Sequence, residues 1–182
     1  MRFNQTIIPG VFIIDVEPRS DERGFFARSW CDQEAAEHGI ALESEQCNIS
    51  FNAREGTLRG MHYQTAPFEE IKLVRCTSGA IFDVAVDIRP DSPAFGRHVA
   101  VELSAENRRM LYVPRGCAHG FLTLTDNAEI FYQMSGCYSA EHARGFRWDD
   151  RSFTIAWPRP VRVISERDRT YPDFVAPAIR GE

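Results

Sequence analysis

The stretch Gly56-Thr57-Leu58-Arg59-Gly60-Met61-His62-Tyr63-Gln64 decides how this chain is read. Period-2 alternation puts Leu58, Gly60, His62 and Gln64 on one face of a strand, and Thr57, Arg59, Met61 and Tyr63 on the other. Gly56 and Gly60 let the backbone bend sharply. A bulge at such a glycine re-aims its neighbours, so one strand can offer an imidazole and a guanidinium to the same cavity. On this reading His62 is a general base and Arg59 holds an anionic substrate. The alternative is a half-buried strand whose His62 is a satisfied core histidine.

Outward from this stretch the chain keeps to short strands. Before it come Val11–Val16, a charged loop over Pro18–Gly24, and a strand over Phe25–Trp30. A helix over Asp32–Glu37 follows, ended by Gly39 in a left-handed conformation. Leu42–Phe51 suits an exposed strand or a pocket edge. After it come Ile71–Cys76, Ala80–Ile88, Arg97–Leu103, Met110–Val113, Gly120–Leu124 and Glu129–Met134, separated by turn residues. Even spacing of short strands predicts an all-β sandwich or barrel, as one domain over residues 1–182. Beyond Trp148 an irregular tail wraps the barrel, and Ser165-Glu166-Arg167-Asp168 returns to it.

The 182 residues are 43% hydrophobic and 26% charged, as in an ordinary soluble protein. A net charge of −5 argues against nucleic acid as a partner. Cys31, Cys47, Cys76, Cys117 and Cys137 are odd in number and never in a C-x-x-C pair, which points to a reducing compartment. Arg2, Asn4 and Gln5 interrupt any leader-like start, and no apolar run reaches the ~18–20 residues of a membrane span. A cytoplasmic protein without a membrane partner is expected.

Three further segments place polar groups on apolar faces. Lys72 shares a face with Val74 and Cys76, His119 stands among small residues, and Tyr132 lies on the Ile130 face. A barrel core rejects such groups unless each is paired, so their convergence inside one barrel would mark a functional site. A metal-binding barrel needs two or three histidines and a carboxylate. His62 and His119 have no nearby glutamate to complete that set, so neither a metal nor another cofactor is expected.

Arg23-Gly24-Phe25-Phe26, Leu58-Arg59-Gly60-Met61-His62-Tyr63-Gln64 and Lys72-Leu73-Val74-Arg75 together resemble the nucleotide-sugar 3,5-epimerases. So do Phe82-Asp83-Val84-Ala85-Val86-Asp87, Ser104-Ala105-Glu106-Asn107, Ala118-His119-Gly120-Phe121 and Arg144-Gly145-Phe146-Arg147-Trp148. The resemblance implies a metal-free, cupin-type jelly-roll barrel with one short helix and an irregular or helical C-terminal tail, working as a homodimer. It implies inversion at C3, C5 or both of a nucleotide-linked 4-keto-6-deoxyhexose, of the dTDP-4-dehydro-6-deoxyglucose type on the route to dTDP-rhamnose. Alternatives are a single-position epimerase on a CDP-linked sugar and a non-catalytic sugar-nucleotide-binding cupin.

By matching motif, the resemblance makes His62 the base and Asp168 its carboxylate partner. Lys72 stabilises the enolate oxygen and Tyr132 returns a proton from the opposite face. Arg23 and Arg59 suit the diphosphate, Tyr138 stacks on the base, and Phe26, Gln46, Asn48, His119 and Arg167 complete the substrate contacts. The chain departs from the family where Arg28 replaces a glutamate and Cys47 and Ile49 replace an aspartate and a histidine. Ala143 replaces an acidic residue, Arg167 a lysine, and Glu70-Ile71 a Gln-Gly pair. Because these changes fall on nucleotide and sugar contacts, dTDP is expected to bind no better than CDP.

Overall fold

The computed structural model describes residues 1–176. Along the chain run β1 (Arg2–Gln5), β2 (Phe12–Asp15), β3 (Arg19–Asp21), β4 (Gly24–Phe26), α1 (Asp32–Ala36), β5 (Ser44–Asn52), β6 (Thr57–Gln64) and β7 (Lys72–Ser78). They are followed by β8 (Ala80–Asp87), β9 (His98–Ser104), β10 (Met110–Val113), β11 (Cys117–Thr123), β12 (Ala128–Ser135), β13 (Ala143–Gly145), β14 (Val163–Ile164) and α2 (Glu166–Thr170). Turn residues do the punctuation: Gly39, Gly79 and Gly116 all take positive φ where the chain reverses.

Two sheets carry the fold. One has the order β1-β2-β10-β7-β12-β5; the other runs β13-β6-β11-β8-β9, with β14 added parallel to β6. Apolar residues from both inner faces, including Val74, Ile81, Ala85, Leu103, Phe121 and Ile130, form one buried cluster. Each such side chain larger than alanine contributes roughly 1.5–3 kcal/mol. A second cluster with Phe12, Ile14, Leu73 and Tyr112 packs Ala35 of α1 onto the first sheet. A third, with Met61, Val84 and Phe146, lies under the C-terminal tail. The architecture is the all-β jelly roll of the cupin type, with two short helices among the described residues.

Two sequence expectations need correction, and one further strand had not been expected. The charged loop over Pro18–Gly24 contains β3, and the strand after it ends at Phe26, not Trp30. Arg23 N–H donates to Asp21 Oδ1 at 2.9 Å and Gly24 takes φ +129°, so a tight turn folds these polar residues into a separate β3–β4 hairpin. Ala143–Gly145 adds a strand to β6 although its sequence carries no alternation, since pairing with Gln64, Tyr63 and His62 is set by tertiary register.

Candidate active site

The site is built on β6. Its pairing with β11 shifts register: His119 stands opposite His62, but Phe121 stands opposite Arg59. Three steps on β6 therefore match two on β11, a bulge at Gly60-Met61. Gly60 takes φ +135°, and a Cβ there would lie 2.6 Å from Gly120 Cα, so only glycine fits. The bulge keeps Leu58 and Met61 buried while turning both Arg59 and His62 into one cavity of about 480 Å³. Asn52 Oδ1 accepts from Arg59 Nε at 2.8 Å and holds that guanidinium.

His62 Nε2 is 2.7 Å from Asp168 Oδ1. Strand β14 pairs Val163 and Ile164 with Thr57 and Leu58, which delivers α2 to this end of β6. Ser165 caps that helix by accepting the Asp168 N–H at 3.0 Å. The Asp168 carboxylate also accepts the Gly60 N–H at 3.2 Å. Burial alone would raise its pKa. The His62 hydrogen bond and charge, the Gly60 N–H and the Ser165 side chain outweigh burial and leave it below the usual carboxylate value.

The same cavity receives Tyr132 and Ile130 from β12, Lys72 from β7, His119 from β11, and Ile49, Ser50 and Phe51 from β5. Burial, offset in part by Arg59 and reinforced by Glu70, pushes the Tyr132 phenol up. His119 is 2.8 Å from Asp83, a fully buried carboxylate. Lys72 Nζ is 2.5 Å from Glu70 Oε1.

A second cavity of about 310 Å³ shares His62, Lys72 and Tyr132 with the first, and is further lined by Gln46, Glu70, Tyr138, Ala143, Arg144 and Arg167. The Arg167 Nε donates to the Tyr171 hydroxyl at 2.6 Å. Gln46 Nε2 donates to Asn48 Oδ1 at 2.9 Å, so Asn48 supports the wall through Gln46 and does not itself line either cavity.

His62, Lys72, Arg59, Tyr132, His119, Gln46, Tyr138 and Arg167 thus line adjacent cavities, and Asp168 backs His62. Arg23, Phe26 and Arg28 do not join them. They ride on and beside the exposed β3–β4 hairpin, where Arg23 pairs with Asp21 at 2.5 Å and Arg28 with Glu34. Phe26 is 74% exposed. Of the departures expected to change base preference, Ile49, Glu70, Ala143 and Arg167 line these two cavities, and Arg28, Cys47 and Ile71 do not. Sequence reasoning assigned no role to Asp83, Asn52, Glu70 or Tyr171, which act as partners of His119, Arg59, Lys72 and Arg167.

A jelly-roll barrel lined by a histidine–carboxylate pair, a buried lysine and a half-buried tyrosine defines a class of small-molecule-handling cupins. Among the described residues, no group of three or more His, Cys, Asp or Glu could hold a metal ion. The family model described as dTDP-4-dehydrorhamnose 3,5-epimerase matches residues 5–176. A relative of that name from Shigella flexneri is 45% identical over 177 residues, 96% of this chain and 97% of that one. The fold matches a dTDP-4-dehydrorhamnose 3,5-epimerase from Bacillus anthracis solved with TDP and PPi bound, with TM-score 0.91 and 36% identity over 95% of this chain and 99% of that chain. It also matches a dTDP-6-deoxy-D-glucose-3,5-epimerase from Legionella pneumophila in complex with dTDP-4-keto-L-rhamnose, with TM-score 0.84 and 38% identity over 92% of this chain and 89% of that chain. The chain belongs to the dTDP-4-dehydrorhamnose 3,5-epimerase family.

Proposed function

We propose that this protein epimerises dTDP-4-dehydro-6-deoxyglucose to dTDP-4-dehydrorhamnose through an enolate. The observation that carries the reading is that His62 stands on β6 and Tyr132 on β12, strands of the two different sheets, yet both line one cavity. A sugar ring between the sheets would meet a base on one face and an acid on the other. His62 takes the proton alpha to the 4-keto group; the C–H electron pair moves into the enolate, whose oxygen Lys72 stabilises as an ammonium. Asp168 holds the ring of His62 and offsets the positive charge it gains. Tyr132 delivers its hydroxyl proton to the opposite face of the carbon, and the centre is inverted. Arg59 suits the diphosphate, as a fork-shaped cation. Tyr138 is 55% exposed at the mouth of the second cavity and offers a stacking face to the base, beside Gln46 and Arg167, while His119 meets the substrate in the first cavity. Bound thymidine nucleotides in solved relatives support dTDP as the carrier.

We also propose a homodimer. Arg23, Phe26 and Arg28 resemble substrate contacts but sit on a hairpin that leaves its own cavities untouched. They can serve a substrate only by reaching the cavity of a second copy. The free cysteines suit a reducing cytoplasm, and no helix among the described residues is long and apolar enough to cross a membrane.

The test is NMR of dTDP-4-dehydro-6-deoxyglucose with the protein in deuterated water. Deuterium at C3 and C5 with formation of the rhamno product is expected. No exchange at any ring position overturns the reading.

A further inference from the structure

We propose that Glu70 is a positioning residue that fixes the Lys72 ammonium at the junction of the two cavities, an inference that rests on the epimerase reading above. Both oxygens of Glu70 are engaged. Oε1 is 2.5 Å from Lys72 Nζ, and Oε2 accepts from Gln64 Nε2. The side chains of Lys72 and Glu70 are only 9% and 8% exposed, so water does little to loosen the pair. Gln64 is itself locked: its Nε2 also donates to Phe68 O at 2.9 Å, and its Oε1 accepts the Ser139 N–H at 2.7 Å. Glu70 is therefore clamped by an amide that cannot flip without losing Ser139, and it presents one remaining oxygen to the lysine.

The next residue is pinned as well. Ile71 N–H donates to Ser135 Oγ at 2.9 Å, and Ser135 N–H donates to Ile71 O at 3.1 Å. Loop and strand together thus hold the carboxylate, and the carboxylate holds a flexible four-carbon stem with a point charge at its end. With one contact on each oxygen, to Lys72 and to Gln64, Glu70 acts on the reaction through Lys72. Its charge also reaches Tyr132, where it adds to burial in keeping the phenol protonated.

Glu70→Gln isolates this role, because glutamine has the same shape but only one acceptor oxygen. Its NH₂ must face either the Gln64 NH₂ or the ammonium, so one contact turns repulsive. Expected is a fall of ~10–100-fold in kcat for solvent deuterium exchange, the scale of a small misplacement of a reacting group, with dTDP affinity by calorimetry unchanged. In a Lys72→Met background, followed at high enzyme concentration to resolve the slow reaction, Glu70→Gln should cause no further loss. Equal losses in both backgrounds, or an unchanged kcat in the single variant, overturn the positioning role. A wild type that exchanges nothing overturns the epimerase reading and this inference with it.

Discussion

His62 and Asp168 form an asymmetric pair: their nitrogen and oxygen are 2.7 Å apart, yet the imidazole is 39% exposed and the carboxylate 6%. An open ring that meets substrate is backed by a charge that water cannot screen. Asp168→Asn preserves shape but removes that charge. We expect the exchange rate to fall by ~10²–10⁴-fold, the scale seen when a catalytic histidine loses its carboxylate or a base is lost, with dTDP affinity by calorimetry nearly intact. His62→Ala should do at least as much. Substantial remaining exchange in either variant would move the proton transfer to another residue.

The same pair has a consequence for acid stability. The Asp168 carboxyl lies below its ordinary value in the folded protein, so its contribution to stability is fully present above the unfolded value of ~3.9 and is lost as pH falls through the folded value. Urea midpoints for wild type and Asp168→Asn should therefore differ at pH 7 and draw together only as pH falls below about 4 and through the folded value. A gap that is constant with pH would mean that the carboxylate is not charged in the fold.

Tyr132 separates exchange from inversion. Burial raises its phenol, Arg59 pulls it back in part and Glu70 adds to the rise, so it stays protonated through neutral pH and can donate. Tyr132→Phe should leave His62 able to remove and return a proton on one face. Deuterium would then enter the starting sugar while the rhamno product falls by ~10²-fold or more. Normal product formation would assign the acid elsewhere.

His62 and His119 face each other across β6 and β11, but each is engaged by its own carboxylate, Asp168 or Asp83. Protein treated with a strong chelator should keep its full rate. A loss reversed by a divalent ion would replace the enolate mechanism drawn from these residues.

Much of this was legible because one strand carries its own instructions. In Gly56–Gln64, alternation, the glycines and the two polar groups together specify strand, bulge and cavity face, and β6 realises all three. β5 likewise reads as a pocket edge because its polar and apolar residues alternate, and it is the edge of its sheet. The partners were not legible. Asp83 meets His119 across neighbouring strands and Asn52 meets Arg59 across a turn, with nothing in local spacing to announce either contact. Such pairs are made by register, which polar patterning does not encode. The hairpin was missed for another reason: Asp21, Glu22 and Arg23 read as a loop, although Glu22 and Arg23 are only the two-residue turn that joins Asp21 of β3 to Gly24 of β4.

That hairpin supplies the last prediction. If Arg23 serves the cavity of a second copy, an active centre combines His62 of one chain with Arg23 of another. Arg23→Ala and His62→Ala should each be nearly inactive alone, the first through a raised KM and the second through a lost kcat. Arg23 is 84% exposed in its side chain, so its removal does not disturb the core. When the two variants are mixed, unfolded and refolded together, half of the dimers are mixed and each has one intact centre. Activity should return to about a quarter of wild type, as two-fold symmetry requires. If Arg23 instead served its own chain, a mixed dimer would contain no intact centre and the mixture would stay inactive. Size-exclusion chromatography with light scattering supplies the control, because a monomeric wild type would remove the second copy altogether.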